Sequence, residues 1–173
     1  NGDLQLAKKL IREAATAGAD IVKFQTFKTQ SCISKSAPLA EYQERNVPGA
    51  KSQLEMVSAL ELTESDHHEL NATALQYGIQ MFSTAFDVES LEFLSQFNFQ
   101  YVKVPSGEVT NLPLLRAIGK QRKEVILSTG MCSLGDIECT IDTLLGTGLK
   151  REDITVLHCT TEYPAPICEV NLT

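Results

Sequence analysis

The chain has 173 residues, of which 43% are hydrophobic, and a formal net charge of -7 at pH 7. This length suffices for one domain with a sizeable core, and the acidic balance argues against nucleic acid as the main partner, because phosphate backbones select basic surfaces. No apolar run approaches the roughly 20 residues of a membrane-spanning helix, and no secretory signal is visible.

The predicted elements alternate along the chain between helices and short apolar strands. Counting capping residues, we predict helices over 3–18, 63–77, 87–97, 111–119 and 133–145, and strands over 20–24, 79–83, 101–104, 124–127 and 154–157. Two helix starts are specified locally, because Thr63 with Asp66 and Ser133 with Asp136 have the spacing of a capping box. Short, continuously apolar strands are typical of a parallel sheet with both faces buried.

This order fits either a doubly wound sheet or a (β/α)8 barrel. Potentially reactive residues follow every predicted strand, which favours the barrel, because its βα loops share one face. A doubly wound sheet usually has a Gly-rich turn after its first strand, and neither G-x-G-x-x-G nor a P-loop occurs. We therefore predict an α/β fold of the (β/α)8 TIM-barrel type. Since a full barrel needs roughly 250 residues, we expect an internal fragment with strands missing at both ends.

The stretch 28–60 departs from the alternation and is long for a connecting loop. Loops of this length without regular structure are usually functional or disordered. Its segment AEYQERN (40–46) carries a tyrosine, two carboxylates, two amides and an arginine. We interpret it either as a lid that reads a polar substrate or as a solvated surface excursion.

Two lysines, Lys23 and Lys103, lie inside predicted strands between apolar neighbours. Since a buried cation without a partner is unfavourable, they suggest a bound anion. The alternatives are lysines whose stems lie beneath a helix while the amine reaches solvent, or a Schiff-base lysine. Hydroxyl and backbone N–H groups that suit phosphate or carboxylate follow four strands: Ser83-Thr84, Ser106-Gly107, Ser128-Thr129-Gly130 and Thr160-Thr161.

Glu108 is the best candidate for a general acid or base, because it follows Ser106-Gly107 at the end of the strand that carries Lys103. An ion pair with a lysine is its structural alternative, and the two roles are compatible. Asp87 is interpreted as a helix cap rather than as a catalytic group.

Neither the histidines nor the cysteines form a recognisable site. His67 and His68 are predicted to face solvent from a helix, and His158 could face the site from a strand end, without a second metal ligand at suitable spacing. The cysteines contain no C-x-x-C pair and are interpreted as reduced thiols of the cytoplasm, packed in the interior. They are Cys32, Cys132, Cys139, Cys159 and Cys168.

Eight segments in collinear order resemble the bacterial sialic acid synthase family, which makes N-acetylneuraminate and its legionaminate and pseudaminate relatives. They are NGDLQLAKKLI, GADIVKFQTF, AEYQERN, SQLEM, FSTAFD, YVKVPSGEVTNLPLL, VILSTGM and LHCTTEYPAPICEVNL. The resemblance implies a (β/α)8 barrel followed by an antifreeze-like domain that covers the partner's active site in a homodimer. Of this, the chain would contain about strands 2 to 6 of the phosphoenolpyruvate-binding barrel and lack the antifreeze-like domain.

The implied reaction condenses phosphoenolpyruvate with an N-acetylated sugar aldehyde, usually N-acetylmannosamine, and releases phosphate. By resemblance Glu108 is the catalytic carboxylate, and Asn46 and Tyr163 contact the sugar. The phosphoenolpyruvate-binding residues would be Lys23, Thr84, Lys103, Ser106 and Ser128, with Thr161 where some members carry an asparagine.

The family also uses a divalent metal, typically manganese, to polarise the aldehyde. Its two histidine ligands are expected beyond Thr173, so no metal ligand is assigned within this chain, and the isolated 173 residues are expected to be inactive. The resemblance implies a cytoplasmic homodimer that acts on small molecules, without a nucleic acid or membrane partner.

Three other functions stay open on the sequence. Another phosphoenolpyruvate-dependent sugar-acid synthase would bind a phosphorylated sugar through a second basic cluster, which the sequence does not show. A Schiff-base aldolase would use Lys103. A non-catalytic binding domain is disfavoured by Glu108, since a pure binder has no need of that carboxylate.

Overall fold

A computed structural model describes residues 2–39, 52–162 and 164–172. The chain divides into two compact units, Asn1–Ser83 and Thr84–Thr173. The first unit contains α1 (Leu4–Thr16), β1 (Ile21–Thr26), α2 (Thr29–Cys32), α3 (Gln53–Ser58) and α4 (Glu64–Gln76). Strand β2 (Gln80–Ala85) crosses the boundary.

The second unit contains the remaining elements. They are α5 (Val88–Leu94), β3 (Tyr101–Val104), α6 (Leu112–Lys120), β4 (Glu124–Ser128), α7 (Leu134–Gly146) and β5 (Ile154–Leu157), with short 3-10 helices at Ser106–Glu108, Arg151–Asp153 and Ile167–Glu169. Each predicted strand is confirmed, with its ends shifted by at most two residues.

Side-chain caps fix where the long helices begin, as the sequence predicts. In α4, Thr63 Oγ1 accepts from Asp66 N at 3.1 Å while Asp66 Oδ2 accepts from Thr63 N at 2.8 Å, which confirms the capping box. The other cap residues also accept a first-turn N–H through their side chains: Asp3, Asp87, Asn111 and Ser133. Gly18 and Gly78 follow α1 and α4 at φ 82° and 73°, where a side chain would strain the backbone.

In the first unit, α1 packs against α4. The apolar part of their contact buries Ile11, Leu70 and Ala74 fully, and an ion pair between Lys8 and Glu69 joins the same two helices. Strands β1 and β2 form a two-stranded sheet. The region between β1 and α4, predicted as an irregular loop, contains α2 and α3 among its described residues.

The second unit is built on a three-stranded sheet in the order β3-β4-β5. Both pairings are parallel, with Val104 opposite Leu127 and Ser128 opposite Leu157. The consecutive order, with a helix between neighbouring strands, confirms the predicted α/β class with a parallel sheet. Its core side chains Leu114 and Leu115 are fully buried, and each such burial contributes about 1.5–3 kcal/mol.

The sequence pattern predicts that every strand is buried on both faces, and this prediction is wrong for some strands. Strand β3 is almost wholly buried, whereas most residues of β1 and β5 are partly or fully exposed. Within the described part of the chain, β1 and β5 each have one hydrogen-bonded neighbour strand, and β5 is followed by loop and a short 3-10 helix. An apolar sequence favours a strand, but it does not determine which elements pack against the faces of that strand.

None of the helices in the described ranges combines the length and the hydropathy that a membrane-spanning helix needs.

Candidate functional site

The parallel sheet of the second unit brings predicted site residues to one edge. Ser106 and Glu108 follow β3, Ser128 ends β4, and Thr161 follows β5. Because the strands are parallel, their carboxyl ends and the loops after them share this edge. The edge therefore carries hydroxyls and one carboxylate next to the strand that contains Lys103.

Lys103 is buried, with 8% of its surface exposed. It lies opposite Ile126 of β4, and its Nζ donates to the carbonyl oxygen of Val104 at 2.8 Å. The predicted burial of this strand lysine is confirmed. A buried ammonium carries a positive charge and three donors, which suits an anion.

Glu108 is half-buried at the end of the 3-10 turn that follows β3. Its Oε2 accepts from Nδ2 of Asn111 at 2.8 Å, and Oδ1 of Asn111 accepts from Leu114 N at 3.2 Å. One amide thus joins the carboxylate to the first turn of α6. The sequence predicts Asn111 as the start of a helix; its bond to Glu108 was not predicted, although the i to i+3 spacing could have suggested it.

The loop that carries Ser106 and Glu108 is hydrogen-bonded to neighbouring segments. Thr140 of α7 is fully buried, and its Oγ1 shares its proton between the carbonyl of Asp136 at 2.7 Å and the carbonyl of Val109 at 3.1 Å. Cys132 donates from Sγ to the carbonyl of Ser106 at 3.8 Å. Burial raises the pKa of Cys132, which keeps the thiol protonated as a donor. These contacts hold the backbone on both sides of Glu108.

The loops after β4 and β5 approach each other closely. Thr129 Oγ1 donates to the carbonyl of Leu157 at 2.8 Å. A Cβ on Gly130 would lie 2.9 Å from the carbonyl carbon of Thr160 and 3.0 Å from its oxygen. Only glycine fits this approach without a backbone shift, so Gly130 sets the spacing of the two loops.

An open pocket of about 680 Å³ lies at these two loops. His158, predicted to face the site, lines this pocket, and its Nε2 donates to the carbonyl of Val170 at 2.6 Å. Among the described residues, the lining includes Thr129, Gly130 and Thr160, but not Lys103, Ser106, Glu108, Ser128 or Thr161. The pocket is therefore formed in part by predicted anion-binding groups, whereas the residues assigned to phosphoenolpyruvate by resemblance adjoin it along the chain.

In the first unit, Lys23 is exposed, so its predicted burial is wrong in this structure. The reason is that the face of β1 carrying it is not covered by the described residues. Lys23 lines an open pocket of about 480 Å³ with Phe24 and Gln25. The surrounding atoms still desolvate the amine, and this desolvation lowers the pKa of Lys23.

Thr84 is 1% exposed, and its Oγ1 has no hydrogen-bond partner among the described residues. Leaving a buried polar group without a partner costs about 1–3 kcal/mol of folding stability. Such a group calls for an explanation, and a bound ligand is one of the ordinary explanations.

The first unit contains a series of buried side-chain hydrogen bonds that was not predicted from the sequence. His67 is 1% exposed, so its predicted exposure is wrong. Its Nδ1 lies 2.8 Å from the carbonyl of Thr63, its Nε2 lies 2.7 Å from Thr26 Oγ1, and that oxygen lies 2.7 Å from Ser83 Oγ. Because a carbonyl can only accept, Nδ1 carries the proton, and Nε2 accepts from Thr26. His67 therefore joins α4 to β1 and β2 in its neutral form.

Desolvation by burial is the main reason that the pKa of His67 is lowered; the Thr63 bond and Asp66 act the other way, and His68 and Lys28 lower it further. An unfolded histidine binds a proton near pH 6.5, so the unfolded state binds more protons below that pH. We expect the free energy of unfolding contributed by His67 to be present above about pH 6.5 and to be lost as pH falls toward its lowered folded value. Urea unfolding of wild type and His67→Gln at a series of pH values measures this.

The matched control for this prediction is His68→Gln, at an exposed position of the same helix. His67→Gln is expected to flatten the acid-side decline in stability, whereas His68→Gln, which removes only a minor charge interaction with His67, leaves the decline close to that of wild type. If wild type and His67→Gln lose stability in parallel as the pH falls, the neutral buried histidine is not the cause.

Two predicted sugar-contacting residues, Asn46 and Tyr163, lie outside the described residues, as does the AEYQERN segment. Among the described residues, no three His, Cys, Asp or Glu side chains come together as a possible metal site. None of the five cysteines is in a disulfide, but the predicted interior packing is wrong: Cys32, Cys139 and Cys168 are exposed and the other two are partly exposed. Their positions on loops and outer helix faces explain this exposure.

The profile of the NeuB family matches residues 10–173. The chain is 53% identical over 172 residues to the N,N'-diacetyllegionaminic acid synthase of Campylobacter jejuni, covering 99% of this chain and 52% of that protein. It is 45% identical over 175 residues to the enzyme of the same name from Legionella pneumophila, covering 99% and 49%. The chain thus spans about half the length of these relatives.

A solved structure shares the architecture. The N-acetylneuraminic acid (sialic acid) synthetase of Leptospira borgpetersenii, crystallised in complex with citrate, superposes with a TM-score of 0.80 at 28% identity, covering 98% of this chain and 54% of that one. The family resemblance predicted from the sequence motifs is confirmed by these matches.

Proposed function

Because this chain belongs to the NeuB family, we propose that the protein that contains it condenses phosphoenolpyruvate with an N-acetylated sugar aldehyde to give a nonulosonate and phosphate. The observation that supports the proposal is the carboxyl edge of the parallel sheet, where Ser106 and Glu108 follow β3, the strand of buried Lys103, and Ser128 ends the neighbouring strand β4. An anion-binding cation beside an acid-base group is what this chemistry needs. The names of the two relatives favour a di-N-acetylated acceptor that yields a legionaminic acid.

The binding of phosphoenolpyruvate is assigned to groups that donate hydrogen bonds to anions. Lys103 supplies charge, and hydroxyls of Ser106 and Ser128 supply donors at neighbouring strand ends. The buried, unpaired hydroxyl of Thr84 supports its assignment as a further donor. Lys23 and Thr161 keep their proposed roles by family resemblance, as do Asn46 and Tyr163 for the sugar.

In the proposed reaction, C3 of phosphoenolpyruvate forms a bond to the aldehyde carbon, whose oxygen takes up a proton to become a hydroxyl. Water adds at C2 and gives up a proton, and the resulting tetrahedral intermediate loses phosphate to leave the 2-keto acid. Glu108 is proposed to transfer these protons. Asn111 holds Oε2, so the other oxygen of the carboxylate is available for the exchange.

The finer architecture is part of the same proposal. The consecutive parallel strands β3, β4 and β5, joined through helices, and the exposed apolar residues Val156 and Leu157 support a partial (β/α)8 barrel whose remaining strands would cover them. We propose that residues 1–173 are an internal fragment of the phosphoenolpyruvate-binding barrel in a cytoplasmic homodimer, with the antifreeze-like domain elsewhere in the protein.

A divalent metal such as manganese is also proposed from the family. The described residues do not fit a metal site, so no step above is assigned to it. Chelation and readdition of manganese to the full-length protein would test the requirement directly.

The test of the proposed function is phosphate release by the full-length protein with phosphoenolpyruvate, manganese and a panel of mono- and di-N-acetylated sugar aldehydes. We expect release that depends on the sugar and is fastest with a di-N-acetylated acceptor. If no sugar of the panel releases phosphate, the proposed function is wrong. If only phosphorylated sugars do, the protein is the other kind of phosphoenolpyruvate-dependent synthase.

A further inference from the structure

We propose that Asn111 is a positioning residue that fixes the orientation of the Glu108 carboxylate for proton transfer. The inference rests on the proposed function, because it assumes that Glu108 acts in the condensation. Its structural basis is the pair of side-chain contacts made by one amide: Nδ2 to Glu108 Oε2 at 2.8 Å, and Oδ1 from Leu114 N at 3.2 Å.

The direction of both hydrogen bonds follows from chemistry. A backbone N–H can only donate, so the atom of Asn111 that faces Leu114 N is the carbonyl oxygen Oδ1. The other amide atom, Nδ2, therefore faces Glu108 and donates to its carboxylate. A flipped amide would turn an oxygen toward the carboxylate and a donor toward another donor, which makes the assignment unambiguous.

The amide is held by a rigid part of the fold. Leu114 and Leu115, in the first turn of α6, are fully buried. The Leu114 N–H that bonds Asn111 Oδ1 is therefore anchored in the core rather than in the loop before the helix. The backbone from Glu108 to Asn111 also forms a turn, because Asn111 N donates to the carbonyl of Glu108 at 3.0 Å. Glu108 is thus tied to the core of the second unit through both the backbone and the side chain of Asn111.

Capping and positioning can be separated by substitution. Aspartate and serine are both good N-cap residues and can accept from Leu114 N, but an ionised aspartate has no donor for Glu108, and serine is too short to reach both partners. Asn111→Asp and Asn111→Ser should therefore keep the helix start and lose the contact to the carboxylate. Asn111→Ala loses both and serves as the control for the cap.

We expect Asn111→Asp and Asn111→Ser to lower kcat for phosphate release by roughly tenfold or more, since hydrogen bonds to charged groups are the stronger ones. In Asn111→Ser the KM for phosphoenolpyruvate and the Tm should stay near wild type, whereas Asn111→Asp lowers the Tm through repulsion between two carboxylates and Asn111→Ala lowers it through loss of the cap. If Asn111 acts only as a cap, Asn111→Ser leaves both kcat and Tm near wild type, and Asn111→Ala lowers the Tm with kcat unchanged.

A double-mutant cycle with Glu108→Gln makes the test specific. If Asn111 acts through Glu108, adding Asn111→Ser to Glu108→Gln lowers the residual rate by much less than it lowers the wild-type rate. Wild-type kcat in both Asn111→Asp and Asn111→Ser, or an equal loss in the Glu108→Gln background, overturns the positioning role. Failure of the proposed function itself looks different, because then wild type releases no phosphate or Glu108→Gln is fully active.

Discussion

Glu108→Gln in the full-length protein is expected to lower kcat for sugar-dependent phosphate release by about 10²–10⁴-fold, the usual contribution of a positioned general acid or base. Glutamine has nearly the shape of glutamate, and its Oε1 can still accept from Nδ2 of Asn111. The fold and the binding of phosphoenolpyruvate should therefore be preserved. Steady-state kinetics, together with calorimetric titration of phosphoenolpyruvate, measure the two properties separately.

Glu124→Gln is the matched control for this change, because Glu124 is an exposed glutamate at the opposite, amino end of β4. It is expected to leave kcat within about twofold of wild type, as surface substitutions away from a site usually do. A Glu108→Gln enzyme that turns over at the wild-type rate would remove Glu108 from the chemistry.

Local signals in the sequence predicted the elements well. The pairs Thr63 with Asp66 and Ser133 with Asp136 specify helix starts through contacts three residues apart, and both capping boxes are present. The end of α5 was predicted three residues late, at Phe97 instead of Leu94. The apolar pattern continues because Phe97 and Phe99, beyond the helix, are buried and stack at 5.1 Å, so periodicity alone did not show where the helix stops.

Features that depend on distant partners could not be predicted. His67 is buried against Thr26 of β1, which is 41 positions away along the chain and is itself bonded to Ser83 of β2. The same sequence pattern, a lysine between apolar residues, gave a buried Lys103 and an exposed Lys23. What differs is the packing around each strand, and no local pattern records it. For the candidate site, the sequence placed the strand-end residues, whereas the bond that orients Glu108 needed the structure.

Lys103→Met is expected to weaken the binding of phosphoenolpyruvate by roughly 30-fold or more, because removing one partner of a buried charge pair loses about 2–5 kcal/mol. Methionine has a similar length and carries no charge, so it keeps the packing of the lysine stem and loses the hydrogen bond to the carbonyl of Val104. The Tm of the ligand-free variant should therefore fall by only a few degrees, because one hydrogen bond contributes about 1 kcal/mol. Calorimetric titration and thermal unfolding of the full-length protein measure the two effects.

A large loss of phosphoenolpyruvate binding with a small change in Tm is what distinguishes a ligand-binding lysine from a structural one. A structural Lys103 would lower the Tm when replaced and leave phosphoenolpyruvate binding intact, which would contradict the proposal. Lys120→Met, at an exposed position of α6, should change neither property. Borohydride treatment in the presence of pyruvate adds a chemical test: a Schiff-base aldolase would be labelled at Lys103, whereas a lysine that only binds the anion stays unmodified.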